Sequence, residues 1–290
     1  MGVRERRKKQ KLCCNGKDRG HSTSPERGQT SVRSFFARKF EKFLNGAKQM
    51  NKKLCAASNT TNGWEKINFQ TAERYVKKLQ MRIAKAVKEQ RWNKVKSLQW
   101  ILTHSFYAKA LAIKRVTENK GKRTSGIDHE TWQTPLSKYK AIKKLTRRGY
   151  HSQPLRRVYI KKKNGKLRPL SIPTMKDRAM QTLYRFALEP IAETKADVHS
   201  YGFRPKRCVQ DAIEHCFKTL SMKTSPIWIL EGDIKGCFDN ISHDWIMKCI
   251  PIDKIILRQF LKSGYIETQK LFPTEMGTPQ GGTISTLNLY

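Results

Sequence analysis

Two aspartates six residues apart, Asp233 and Asp239, lie in the stretch Trp228 to His243, WILEGDIKGCFDNISH. The apolar triplet Trp228-Ile229-Leu230 predicts a strand that delivers Asp233 to its end. Gly236 then turns the chain toward Asp239 and a helix start at Ser242. A carboxylate at a strand end is a hard oxygen donor, suited to a magnesium ion shared with substrate phosphates. Phosphoryl transfer is the chemistry such a stretch supports, with one or both acids as ligands.

The charge balance points to the same class of substrate. Of 290 residues, 60 are Lys or Arg and 23 are Asp or Glu, a formal charge of +37. That surplus strains a compact fold by self-repulsion unless a polyanion neutralises it, and nucleic acid is such a polyanion. The hydrophobic fraction of 38% is below the globular norm, and no apolar run reaches the length of a membrane span, so no membrane partner is expected. Seven cysteines, odd in number and without a C-x-x-C pair, argue for reduced thiols in a cytosol-like compartment and against a zinc site or disulfide framework.

The elements that must position the acids follow from periodicity. Residues 1–62 open with RERRKKQK and continue through Gly, Ser, Asn and Thr, which predicts a basic, largely disordered extension with a short helix near 32–45. An organelle transit peptide is the alternative for this arm. Residues 63–150 read as a helical region. Tyr75, Leu79, Ile83 and Ala86 share one face with Val76 and Val87 beside them, and a second helix runs over 93–116. Both carry lysines and arginines on their outer sides. Asp128 caps a short helix after a loop containing Gly121 and Gly126, and residues 138–149 continue as a basic helix.

Residues 151–290 hold the strands. Val158-Tyr159-Ile160 and Leu167–Ile172 flank a turn centred on Asn164-Gly165, a strong hairpin signal with a lysine-rich tip. Those lysines either grip phosphates or keep the tip solvated. Thr174 and Asp177 form a capping box for a helix through Ile191. Val209, Ala212, Ile213, Cys216, Phe217 and Leu220 keep helical spacing, and helices follow near 243–250 and 253–263. Gly277, Gly281 and Gly282 mark a loop where backbone approaches a ligand. Strands few and far apart among helices give an α+β fold.

RRVYIKKKNGKLRPLSIPTMKDRAMQ, SYGFRPKRCVQDAI, GDIKGCFDNISH and GTPQGG occur in the order and spacing of reverse transcriptases encoded by group II introns. The stretch GWEKINFQTAERYVKKLQMRIAKA and the segment SGIDHETW resemble the region those intron maturases place before the fingers. The resemblance covers residues 63–290. It implies a right-hand polymerase fold, here fingers and part of the palm, preceded by a helical N-terminal region and the basic arm. Asp233 matches the first metal-binding aspartate, and the Ile234 carbonyl would help to hold a second Mg2+. Phe238 matches the residue that stacks under the incoming sugar and excludes a 2′-hydroxyl. Lys162 and Arg168 match the basic pair that grips the nucleotide triphosphate, and Gln280 the loop lining the nucleotide and template pocket. Asp239, Asp128 and His243 are read as scaffold, and Tyr201, Arg204 and Pro205 as shaping the template-facing surface.

The implied activity is RNA-directed DNA polymerisation with a maturase role, its partners a group II intron RNA template, a DNA primer and deoxynucleoside triphosphates. The alternative is a non-catalytic maturase that binds intron RNA as a splicing cofactor. The implied location is the bacterial cytoplasm or an organelle. The sequence departs from the family at His129, where a GVDG-like box is usual, and at Thr286, where Pro is usual. Tyr290 precedes the Tyr-x-Asp-Asp motif that supplies the remaining metal-binding aspartates. The expectation is therefore a fragment or decayed gene product that does not polymerise DNA alone.

Overall fold

The structure, a computed structural model, describes residues 63–161 and 165–278. The expectations placed on the basic arm, on Lys162 and on Gln280 fall outside those residues.

The core is helical. Helix α1 (Phe69–Lys88) buries Ala72, Val76, Leu79, Ile83, Ala86 and Val87, the apolar stripe that a 3.6-residue period dictates, and Asn68 caps it by accepting from the Thr71 amide. The long second helix expected over 93–116 is two helices, α2 (Trp92–His104) and α3 (Phe106–Glu118). Ser105 separates them. Its backbone is extended (φ −73, ψ 140), and its hydroxyl accepts from the Ala108 amide to start α3. A serine that serves as an N-cap interrupts a helix that periodicity alone reads as continuous. The predicted helix start at Asp128 is also absent: Asp128 accepts from the Glu130 amide in a local turn. Helix α4 (Pro135–Lys144) begins instead at Thr134, which caps it, with Pro135 in its first turn.

Strands β1 (Leu155–Lys161) and β2 (Leu167–Ile172) pair antiparallel, from Arg156 opposite Ile172 to Lys161 opposite Leu167. Next comes α5 (Met175–Lys195), the central helix, which buries fourteen residues against α1, α2 and α3. Pro190 lies inside it and has no N–H for the Phe186 carbonyl four residues back. Gln80 of α1 donates its side-chain amide to that carbonyl at 2.9 Å, so the orphaned acceptor becomes an interhelical bond.

The start of α5 is pinned on both sides. Thr174 caps it, accepting from the Asp177 amide, and the buried Asp177 carboxylate accepts from the Tyr150 phenol (2.6 Å), the Thr174 hydroxyl (2.7 Å) and the Gln153 amide (3.2 Å). Burial still holds that carboxyl above its ordinary range, against the pull of those donors. Gly126 packs on the other side. A Cβ there would stand 2.6 Å from the Thr174 Cα, a contact no side chain allows. Arg178 reaches back to the same loop, donating to the Gly121 and Thr124 carbonyls.

Helices α6 (Val209–Leu220), the single turn α7 (Cys237–Asn240), α8 (His243–Cys249) and α9 (Lys254–Leu261) complete the α-helices of the described residues. Two short strands not anticipated from sequence, β3 (Tyr265–Glu267) and β4 (Lys270–Phe272), extend the sheet to the order β2-β1-β3-β4, with β1 and β3 parallel. Together these elements make an α+β fold.

One predicted strand is not formed. Trp228-Ile229-Leu230 is irregular and open to solvent, with Trp228 92% and Leu230 97% exposed. Helix α6 forms as its period requires, yet none of its residues is buried, and Val209, Ile213 and Phe217 stand exposed. The reason is shared: a central strand needs ladder partners and a covering helix. Among the described residues nothing pairs with 228–230.

Candidate active site

The sheet and the α7 turn enclose an open cavity of about 220 Å3. Arg157 of β1, Ser171 of β2 and Tyr265 of β3 form one side, Phe238 and Asp239 another, and residues 273–278 close it. Gly236 starts the α7 turn in the left-handed region (φ +61), which brings Phe238 round to face the exposed ring of Phe203 edge-on, at 6.3 Å between centroids.

The 273–278 loop is locked against α7 by backbone. Thr278 donates its amide to the Phe238 carbonyl (2.7 Å), and Gly277 donates to the Ile241 carbonyl (2.8 Å). His243, buried at the start of α8, approaches the Gly277 carbonyl with Nε2 at 2.8 Å. A carbonyl only accepts, so Nε2 carries the proton. Gly277 itself has φ +78, and a Cβ on it would fall 2.6 Å from the Phe238 carbonyl oxygen and 2.7 Å from that of Asp239. Glycine is dictated there twice, by conformation and by space.

Arg157 is the cavity's cation. Its guanidinium lies 3.8 Å from the centroid of the Tyr265 ring, and its Nε is buried without a partner among the described residues. The Thr278 Oγ1 is likewise buried and unpartnered among them. A cation stacked on an aromatic ring, a free hydroxyl and the half-buried Phe238 suit a ligand with an anionic part and a flat or sugar-like part. Neither Arg157 nor Thr278 was anticipated from the motifs. Both nevertheless lie inside those motifs, Arg157 in RRVYIKKKNGK and Thr278 in GTPQGG, and that membership was the one visible signal for each.

The residues expected to act fall into three groups. Phe238 lines the cavity, and so does Asp239, which the sequence assigned to the scaffold. Arg168 sits at the exposed start of β2 opposite Ile160, beside the cavity-lining Pro169. Asp233 and Ile234 lie apart in the exposed irregular segment and do not line the cavity. Arg204, expected at a template-facing surface, points inward. It is ion-paired with Glu193 (2.9 Å) and donates to the Asp197 and Ser200 carbonyls, so its charge organises the loop before α6. Among the described residues no group of three His, Cys, Asp or Glu side chains converges as a metal site. No helix among them is long and apolar enough to cross a membrane.

Comparison with known proteins agrees with the motif order. The model of the N-terminal domain of reverse transcriptase matches residues 64–145, and that of reverse transcriptase (RNA-dependent DNA polymerase) matches residues 160–288. The group II intron-encoded protein LtrA of Lactococcus lactis subsp. cremoris is 40% identical over 193 residues, 62% of this chain and 31% of LtrA. Protein YkfC of Escherichia coli (strain K12) is 35% identical over 192 residues, 60% of this chain and 49% of its own. Maturase-like protein 1 of Euglena gracilis is 28% identical over 214 residues, 72% of this chain and 44% of its own. The matched region thus spans 31% to 49% of the length of these relatives.

Proposed function

This chain belongs to the reverse transcriptases and maturases encoded by group II introns, and on that premise we propose that it contributes the fingers and part of the palm of an RNA-directed DNA polymerase. The observation that carries the reading is the cavity between the basic sheet and Phe238. In this reading an incoming deoxynucleotide lies with its sugar over Phe238, whose ring leaves no room for a 2′-hydroxyl. Its phosphates run toward the hairpin, where Lys162 and Arg168 take the triphosphate charge, with Arg157 contributing from the floor. Gln280 lines the template side. The primer 3′-hydroxyl attacks the α-phosphate in line and pyrophosphate leaves, held by the same cations. The proposed organisation is an extension over 1–62, an N-terminal region over 63–150 and fingers with partial palm over 151–290.

Magnesium is the cofactor the family implies, and Asp233, with the Ile234 carbonyl, is the ligand this chain would offer. Its carboxylate is exposed and has no hydrogen-bond or ion-pair partner among the described residues. One carboxylate does not organise two metal ions, so the described residues are not by themselves the metal site. The proposed partners are intron RNA as template, a DNA primer and deoxynucleoside triphosphates. A second reading, an RNA-binding maturase that assists splicing without polymerising, is favoured by the +37 charge, which serves RNA binding whether or not the site is complete.

Primer extension on an RNA template separates the two, run with this chain and with a form extended by the remaining palm of a longer relative. Incorporation in the extended form, abolished by Asp233→Ala, is the expected result. Incorporation that survives Asp233→Ala would defeat the assignment of the metal ligand. No incorporation in either form, with intron-RNA binding intact, would favour the maturase.

A further inference from the structure

A second cavity, of about 140 Å3, lies where α2 gives way to α3, and shares no lining residue with the first. Leu145, Met180, Leu183 and Tyr184 form an apolar floor, and Lys109, Arg147, Arg148 and His104 bring positive or polar groups to it. Arg147 is neutralised by its ion pair with Asp253. Lys109 is different. It is half-buried and has no acidic partner among the described residues. Removing an ammonium from water without a counter-charge is costly, and an anion arriving from outside relieves that cost. Arg148, exposed beside it, also has no acidic partner among the described residues.

An aromatic platform adjoins these cations. His104, in the cavity wall, stacks on Trp100 with ring centroids 4.3 Å apart and planes 20° from parallel. The stack is fixed from below, because His104 Nδ1 donates to the Trp100 carbonyl at 2.8 Å. Trp100 nevertheless remains 48% exposed, on a helix that buries Leu98, Gln99 and Leu102 around it. An indole held rigid by one stacked ring and still half open is a surface for a second flat ring.

We propose that this cavity and the Trp100–His104 stack form a separate contact for single-stranded nucleic acid, with a base on Trp100 and the adjoining phosphates on Lys109 and Arg148. Stacking platforms beside a basic groove are how single strands are held without sequence preference. An acidic polypeptide would satisfy the two cations but has no use for the indole. The proposal rests on the reading of the chain as a nucleic-acid-handling protein.

The test uses the full chain and a short unstructured oligouridylate carrying a fluorophore and one 5-iodouridine, with the deoxy counterpart and polyglutamate as the other arms. Irradiation should crosslink the oligonucleotide to the peptide carrying Trp100 and His104. Trp100→Ala should weaken binding about tenfold with little change in salt dependence, as expected for one lost stack. The double variant Lys109→Gln/Arg148→Gln should lower the slope of log affinity against log salt by about 1.4, or about 0.7 for each lost phosphate contact on a single strand. Lys88→Gln/Lys96→Gln, which removes two charges outside the cavity, should change both readings much less. Equal crosslinking of RNA and DNA makes the site indifferent to the sugar, and a preference for RNA assigns it to template or intron RNA; either result supports the contact. Absence of the crosslink, an equal effect of the control pair, or polyglutamate competing as well as the oligonucleotide would overturn it. If no oligonucleotide binds the chain at all, the polymerase reading fails as well; if binding persists while these variants are silent, this site alone is wrong.

Discussion

Gly277→Ala probes whether the first cavity is a fixed site. A non-glycine residue at φ +78 costs about 1 kcal/mol. The added Cβ would also stand 2.6 Å from one backbone carbonyl oxygen and 2.7 Å from another, and neither belongs to a side chain that can rotate away. The 273–278 loop must therefore lift from α7. Lifting breaks three hydrogen bonds: Gly277 to Ile241, Thr278 to Phe238 and His243 to Gly277. At about 1 kcal/mol net for each, the closed loop loses roughly 4 kcal/mol in all. The global fold is little affected, because the loop can open by itself. Amide hydrogen exchange is the matching assay. Protection of the Gly277 and Thr278 amides should fall about a hundred- to a thousandfold, since 1.4 kcal/mol is tenfold. Affinity for a deoxynucleoside triphosphate should fall with it, as the wall facing Phe238 is displaced. Unchanged protection together with unchanged nucleotide affinity would refute the reasoning, because the cavity would then not depend on this closure.

Tyr150→Phe removes one donor from the buried Asp177 carboxylate and should cost about 2 kcal/mol, lowering Tm by about 4–8 °C in a calorimetric scan. Burial holds the Asp177 carboxyl above its ordinary range, so the folded chain binds that proton more tightly than the unfolded chain. This contribution to stability is fully present below the unfolded pKa and is lost as pH rises through the raised value; Asp177→Asn should abolish that fall in urea melts taken across the window. Asp233→Ala should leave stability within about 0.5 kcal/mol, since the side chain is exposed and has no partner among the described residues, while removing primer extension wherever it occurs. Gly126→Ala forces a methyl group against the Thr174 backbone and should destabilise by about 1–3 kcal/mol in denaturant titration.

What the sequence displayed and what it hid divide along a physical line. The stripe of α1, the Thr174 cap and the β1–β2 hairpin are specified within a few residues of themselves, and their side chains suffice to predict them. The break at Ser105 was missed because a serine inside an apolar period is neutral until its hydroxyl turns toward the backbone. The β3–β4 pair escaped because three-residue strands carry no alternation to read, and their turn places Thr268 and Gln269, not glycine, at positive φ. At the site, Phe238 was legible from its motif, while Arg157 was not, since its role arises from Tyr265, more than a hundred residues away. The strand predicted at Trp228–Leu230 marks the opposite error. Apolar, β-prone residues state a preference, and only partners across the ladder satisfy it.

Those same three residues, with the exposed Ile227 before them, bear on how the protein behaves in bulk. They make an adhesive segment, flanked by Pro226 and Glu231, which limit its growth into ordered aggregates, and the bare stripe of α6 is a second exposed apolar face. What keeps two copies apart is mainly their common charge of +37. A polyanion added toward charge balance removes that repulsion before it covers the adhesive segment. Turbidity should therefore rise as nucleic acid approaches neutralisation and clear again in excess, when the complexes repel with the opposite sign. The order of mixing, strand into protein or protein into strand, then decides whether the sample stays clear.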